Sequence, residues 1–180
     1  MKKQQSSILG GALIVAVFVI MIPIMAYGGV IDKIGDFVSI SKRQDKIIDS
    51  YQSNMNYYLQ KDNEVNYIPR LTPGVLPVDL DTRRVARIIF AMRDTLKPKS
   101  PNDVSSVVAF RCWDRQVGTY GSGSPGYQKT CNIWVIDVRT HSWGNVGTLT
   151  GTEPPHRKKG YGPATGSHPA LDWIRRNGGI

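Results

Sequence analysis

Cysteine is scarce in this chain: among 180 residues there are two, Cys112 and Cys131. Two thiols cannot supply the paired CxxC sets of a structural zinc site, and there is no HExxH helix. A glycine-rich phosphate loop and paired carboxylates are also missing, which argues against nucleotide chemistry and carboxylate catalysis, although catalytic groups can still converge from distant loops. No internal repeat is present, so the chain is not a solenoid. A non-enzymatic component without a cofactor is the expectation.

Charge is missing from one stretch altogether. From Gln4 to Ile31 there is no charged residue, and from Ile8 the chain reads ILGGALIVAVFVIMIPIMAYGGVI. As a helix these 24 residues would extend about 36 Å, enough to cross a hydrocarbon core of about 30 Å. A cleaved secretory signal is the competing reading. Lys2 and Lys3 form a basic start, Pro23 breaks the helix, and Ala26-Tyr27-Gly28 offers a small-x-small site. The apolar run exceeds an ordinary signal core, so an uncleaved anchor over 1–31 is expected.

The short lysine-bearing N-terminus places that end in the cytoplasm and the rest of the chain outside it, at the inner membrane. Beyond residue 31 the chain holds 21 Lys and Arg against 14 Asp and Glu, an excess of 7 cations. Such a balance suits anionic lipid or an anionic envelope polymer, and it also describes an ordinary solvated basic face. Nucleic acid is not expected as a partner, because no groove-entering motif is present and the compartment is wrong. The expected partners are the lipid bilayer, envelope proteins and anionic lipid or polymer.

Apolar residues recur at near-helical spacing from Ile31 to Leu59, giving an amphipathic juxtamembrane helix over 32–60. It reads as a stalk packing on the domain rather than a coiled-coil seam, which needs regular heptads. Three prolines in NYIPRLTPGVLPVDLDT make 61–77 an extended linker that enters a strand. The folded domain is then 78–180. Within it, TRRVARIIFAMRDTLK predicts an amphipathic helix capped by Asp81 or Thr82 and stopped by Pro98. VSSVVAFRCW and KTCNIWVIDV predict two paired strands, HSWGNVGTLTG a shorter one, and PALDWIRRN a closing helix with Pro169 in its first turn. The expected class is α+β: a transmembrane helix, then a small antiparallel sheet packed with one or two helices.

The fate of Cys112 and Cys131 depends on hairpin register. A turn at Gly121-Ser122 sets the two cysteines opposite each other. A turn through GSGSPG sets Cys112 opposite Val135, about 13 Å from Cys131 along the ladder, too far for a bond. Pro125-Gly126 favours the longer turn, whereas an oxidising compartment favours a disulfide. Disulfide and free buried thiols both stay open. A nucleophilic Cys112 would need one of the loop histidines His141, His156 or His168 as its base. Glu153, His156 and His168 have the donor types of a zinc site without its spacing, so no metal is expected.

The loop PPHRKKGYGP gathers His156, Arg157, Lys158 and Lys159 between prolines and glycines, an anion-binding candidate for phosphate, sugar acid or a phospholipid headgroup. Four tryptophans, Trp113, Trp134, Trp143 and Trp173, suit core and rim packing or a sugar-stacking platform.

A VGxY turn (VGTY, 117–120), a VID strand (135–137), the GTEPP loop (151–155) and the helix of GSHPALDWI (166–174) occur in the order found in a set of bacterial membrane-anchored extracytoplasmic proteins. Residues 94–174 resemble that set. The resemblance implies one domain closing near the C-terminus, and no activity. The layout of basic leader, apolar helix, amphipathic helix and cysteine-bearing sheet is also similar to that of type IV pilin subunits, which would imply a filament subunit. Val15 stands where such pilins carry glutamate, and Pro23 interrupts the helix early. The remaining alternative is a hydrolase or transferase of envelope polymers.

Overall fold

The structure, a computed structural model, describes residues 38–157 and 162–178. The expected anchor over 1–31 lies outside them, as do Lys158 and Lys159 of the basic loop. No helix among the described residues is long and apolar enough to cross a membrane. The chain divides at 46/47 into two compact units, of which Ile47–Ile180 carries the sheet.

Residues 38–50 are helical. The helix (α1) gives way to a 3-10 turn, Gln52–Asn54, and to one helical turn, α2, Met55–Tyr58. Ile48, Tyr51, Met55 and Tyr58 are spaced by three or four residues and all are buried, as a stalk that packs on its own domain requires. Two buried tyrosines need partners for their hydroxyls. Tyr51 donates to the Pro98 carbonyl at 3.0 Å and Tyr58 to the Pro101 carbonyl at 2.6 Å. Tyr58→Phe should cost about 1 kcal/mol, because the half-buried Pro101 carbonyl loses its donor. Urea unfolding should show the loss with the transition slope unchanged.

Seven strands form one sheet: β1 Asn63–Glu64, β2 Val75–Asp79, β3 Arg84–Val85, β4 Ser106–Thr119, β5 Pro125–Asp137, β6 Ser142–Thr150 and β7 Ala164–Thr165. The order is β1-β6-β5-β4-β2-β3, with β7 beside β5. The α+β class holds, but the sheet is mixed rather than antiparallel. β2 runs parallel to β4, β1 to β6 and β7 to β5. The linker expected over 61–77 enters its strand earlier than those bounds: β2 begins at Val75 and its VLPV run is wholly buried. Pro77 is tolerated because the carbonyl that would face its missing N–H, that of Ala86, accepts from Ile89 N at 3.1 Å instead, while Pro77 O still accepts from Ala86 N at 2.9 Å.

The helix expected over 82–97 is not there. Arg84-Val85 pairs antiparallel with β2, and Arg87–Ala91 is a 3-10 helix. Arg83 takes φ 53, which breaks any α-helical start. Asp79, not Asp81 or Thr82, organises the turn, its Oδ1 accepting from Asp81 N at 2.8 Å. The apolar periodicity nonetheless told the burial correctly, since Val85, Ile89, Met92 and Leu96 all face the core. Apolar spacing reports which residues are inside; pairing to β2 decides the backbone.

The closing helix, α3 Pro169–Asn177, matches its expected bounds. Pro169 sits in its first turn, Asp172 near its positive end and Arg175 and Arg176 near its negative end. α3 packs on β4, β5 and β6. In β4 the first five residues are buried and the last seven exposed, so its far half is an open edge, whereas the facing part of β5 is half-buried and paired with β7.

Candidate functional site

Where the hairpin turns decides where the cysteines lie. Tyr120 N donates to Ser124 O at 2.9 Å and Gly123 N to Tyr120 O at 2.8 Å, closing a short loop between Thr119 and Pro125. The longer GSGSPG turn is therefore wrong. Pro125 begins β5, a position that needs no ladder donor. An irregularity between Gln116 and Gly118 absorbs Val117, and Cys112 stands directly opposite Cys131. Their Cα atoms are 4.1 Å apart and the sulfurs lie at bonding distance, 1.97 Å. Cys131 is fully buried and Cys112 half-buried.

Side-chain alternation along β4 puts Val108, Phe110, Cys112 and Asp114 on the face that α3 covers. His168, the residue before α3, hangs over this row. Its Nε2 is 4.0 Å from Cys112 Sγ, and its ring meets Phe110 edge-on at a centroid distance of 5.1 Å. The other ring nitrogen, Nδ1, is buried with no hydrogen-bond partner among the described residues. Burial, reinforced by Lys129, pushes the imidazole pKa below its ordinary value, against the opposing pull of Asp172, Asp114 and Asp79. Lys129 is itself paired with Asp114 at 2.9 Å, one step along the row. Cys112, Cys131 and His168 offer three donor atoms within 4.8 Å of one another, the only such group of three or more among the described residues.

The cysteine pair was legible in the sequence down to a choice of two registers. Its meeting with His168 was not, because nothing in SHPALDWI says which strand the N-terminus of the helix overhangs. Ser167 and Thr152 exchange backbone-to-hydroxyl hydrogen bonds at 2.9 Å, fixing the approach to His168 against the end of β6.

The opposite face carries the aromatic rows. Register sets Trp113 beside Thr130 and Thr150, Arg111 beside Asn132 and Thr148, and Trp134 beside Ala109 and Asn145. Trp113 is 47% exposed, and the neighbouring threonines and asparagine bond in pairs, Thr130 to Thr150 and Thr148 to Asn132. Lys61 Nζ lies 4.7 Å from the ring centre of Trp143 and 5.3 Å from that of Trp134. Burial lowers its pKa, with Glu64 acting in the other direction. Trp173 is a core residue.

Of the anion-binding candidates, His156 and Arg157 are exposed. His156 lines a shallow cleft of about 300 Å³ with Glu153, Pro154, Pro155 and the hairpin tip, where the Tyr120 hydroxyl donates to the Pro155 carbonyl at 2.5 Å. A carboxylate thus shares the cleft with the histidine. Among the described residues, Glu153 and His156 do not join His168 in a group of metal-ligating side chains. His141 packs edge-on against Tyr57 at 5.0 Å. No family model, curated protein or solved structure matches this chain.

Proposed function

We propose that this chain is a single-pass protein of the cytoplasmic membrane, N-terminus inside, that displays its sheet domain outside the cytoplasm as a binding, assembly or envelope-structural component. The observation that carries the reading is the cysteine pair at bonding distance, since such bonds persist where the surroundings oxidise thiols. The uncharged run over Gln4–Ile31 supplies the means of anchoring.

Binding is supported by the exposed Trp113 face with its threonine and asparagine rows, which offers a stacking ring among hydrogen-bonding groups. The excess of cations favours anionic lipid or polymer, with His156, Arg157, Lys158 and Lys159 as the contact loop. A hydrolase or transferase built on Cys112 would need a thiolate at a sulfur that is here bonded. A pilin-like subunit asks for one α-helix continuing to about residue 60, whereas residues 51–54 leave that geometry.

The test is a C-terminal tag on the full chain in cells. Added protease should remove the tag from spheroplasts without lysis, the tag should sediment with membranes, and a maleimide reagent should label the cysteines only after reduction. A tag that is protected in spheroplasts, or recovered in the soluble cytosolic fraction, overturns the reading.

A further inference from the structure

The cysteine–histidine group has a second use that a disulfide alone does not. We propose that reduction of the Cys112–Cys131 bond converts this pocket into a metal site of the zinc class, with two thiolates and His168 Nε2 as ligands and water in the fourth position.

Three observations carry this. The donors already lie within 4.8 Å of one another, so a shared ion needs side-chain rotation rather than movement of the strands. They come from three elements, β4, β5 and the entry to α3, each held by the sheet or by the Ser167–Thr152 bonds. Thiolate and imidazole are the donor types that zinc prefers, and three protein ligands with one open position is a recurring zinc arrangement. Cys112 is half-buried, giving the ion and its water a way in, while Cys131 and the Phe110 ring close the rear. Charge also balances: two thiolates neutralise one divalent cation, and the neighbouring Lys129 is offset by Asp114.

The conversion balances with a dithiol as reductant. Its thiolate attacks one cysteine sulfur, the bond between the cysteines breaks, and the second thiol of the reductant closes its own disulfide. Two electrons and two protons pass to Cys112 and Cys131. Metal binding then expels the two thiol protons. Exchange with a disulfide, which takes back the two electrons and is reduced to its dithiol, reverses the sequence and releases the ion, so bonded and metal-bound states exclude each other.

The experiment uses the full chain in detergent micelles, reduced by a phosphine under argon and titrated with Co2+. The expected result is intense thiolate-to-cobalt charge-transfer absorption saturating at one ion per chain, bleached by Zn2+, and absent from the oxidised chain. His168→Ala should weaken cobalt binding roughly tenfold or more, since loss of a ligand costs at least as much as loss of a group that merely orients one. Near-ultraviolet circular dichroism is followed throughout. A reduced chain that loses tertiary signal and regains it with Zn2+ supports the site; one that does not regain it overturns the proposal. Absence of the charge-transfer band in the reduced chain, or equal affinity in His168→Ala, also overturns it.

Discussion

Gly74→Ala should destabilise the sheet domain by about 3 kcal/mol or more, a fall in thermal midpoint on the order of 10 °C. Gly74 has φ 99, where an L side chain is strained, and a methyl group there would collide with the Asp103 carbonyl oxygen. Neither relief is available, because the same residue joins three segments. Its N–H donates to Leu96 O at 3.0 Å, and its carbonyl accepts from Ser105 N at 3.0 Å and Ser106 N at 3.4 Å. Rotating φ to a comfortable value would break the entry of β2 into the parallel pair with β4. Gly118→Ala is the control. A methyl group there meets nothing within 4 Å, so its effect should stay within about 0.5 kcal/mol. Unfolding of both variants in detergent by near-ultraviolet dichroism makes the comparison, and equal midpoints would refute the role given to Gly74.

Loss of the cysteine bond should cost about 3 kcal/mol, the loop-closure value for a separation of 19 residues. The clean variant is Cys112→Ala with Cys131→Ala, because serine would leave a hydroxyl in the fully buried place of Cys131. The bond lies where β4 changes from buried to exposed residues. Its removal should therefore loosen the exposed half of β4 first. Amide exchange should accelerate at 113–119 more than at 106–110, whose protection comes from the packed body. Equal acceleration in both halves would mean that the bond holds the whole sheet rather than that exposed half. The wild-type chain under reductant should behave as the double variant does, and a gap between them measures what the free thiols themselves add.

The legible parts of this fold were those governed by local rules. PALDWIRRN carries its own start and stop, and α3 takes those bounds. The alternation and β-branched content of the two long strands announced β4 and β5, although both extend further than expected towards the turn, where β4 is exposed and β5 half-buried. What stayed hidden depends on partners distant in sequence. Leu76 and Val78 become strand residues by pairing parallel to β4 across the segment 80–105, which holds β3 and two 3-10 helices. Arg84-Val85 is pulled from a helical pattern by β2. The site shows the same division. Cys112 and Cys131 were a pair awaiting a register, and the register turned on one irregularity at Val117. His168 joined them through tertiary packing alone, for which neither spacing nor composition offers a cue.

The outer strands of the sheet, β1 and β3, are two residues long. Among the described residues the longer open rims are 111–119 of β4, past the end of its pairing with β2, and β6 past its pairing with β1. The first carries Arg111, Asp114 and Arg115, and its ladder is irregular between Gln116 and Gly118. The second is kinked where Gly147 takes φ 96 and Asn145 Oδ1 caps the Gly147 N–H at 2.8 Å. A straight ribbon of free amides is what one molecule needs to template another into cross-β growth. With the outer strands short, the open rim of β4 charged and irregular and that of β6 bent, neighbouring copies have little to zip onto, so crowding of this domain should not seed edge-to-edge aggregation.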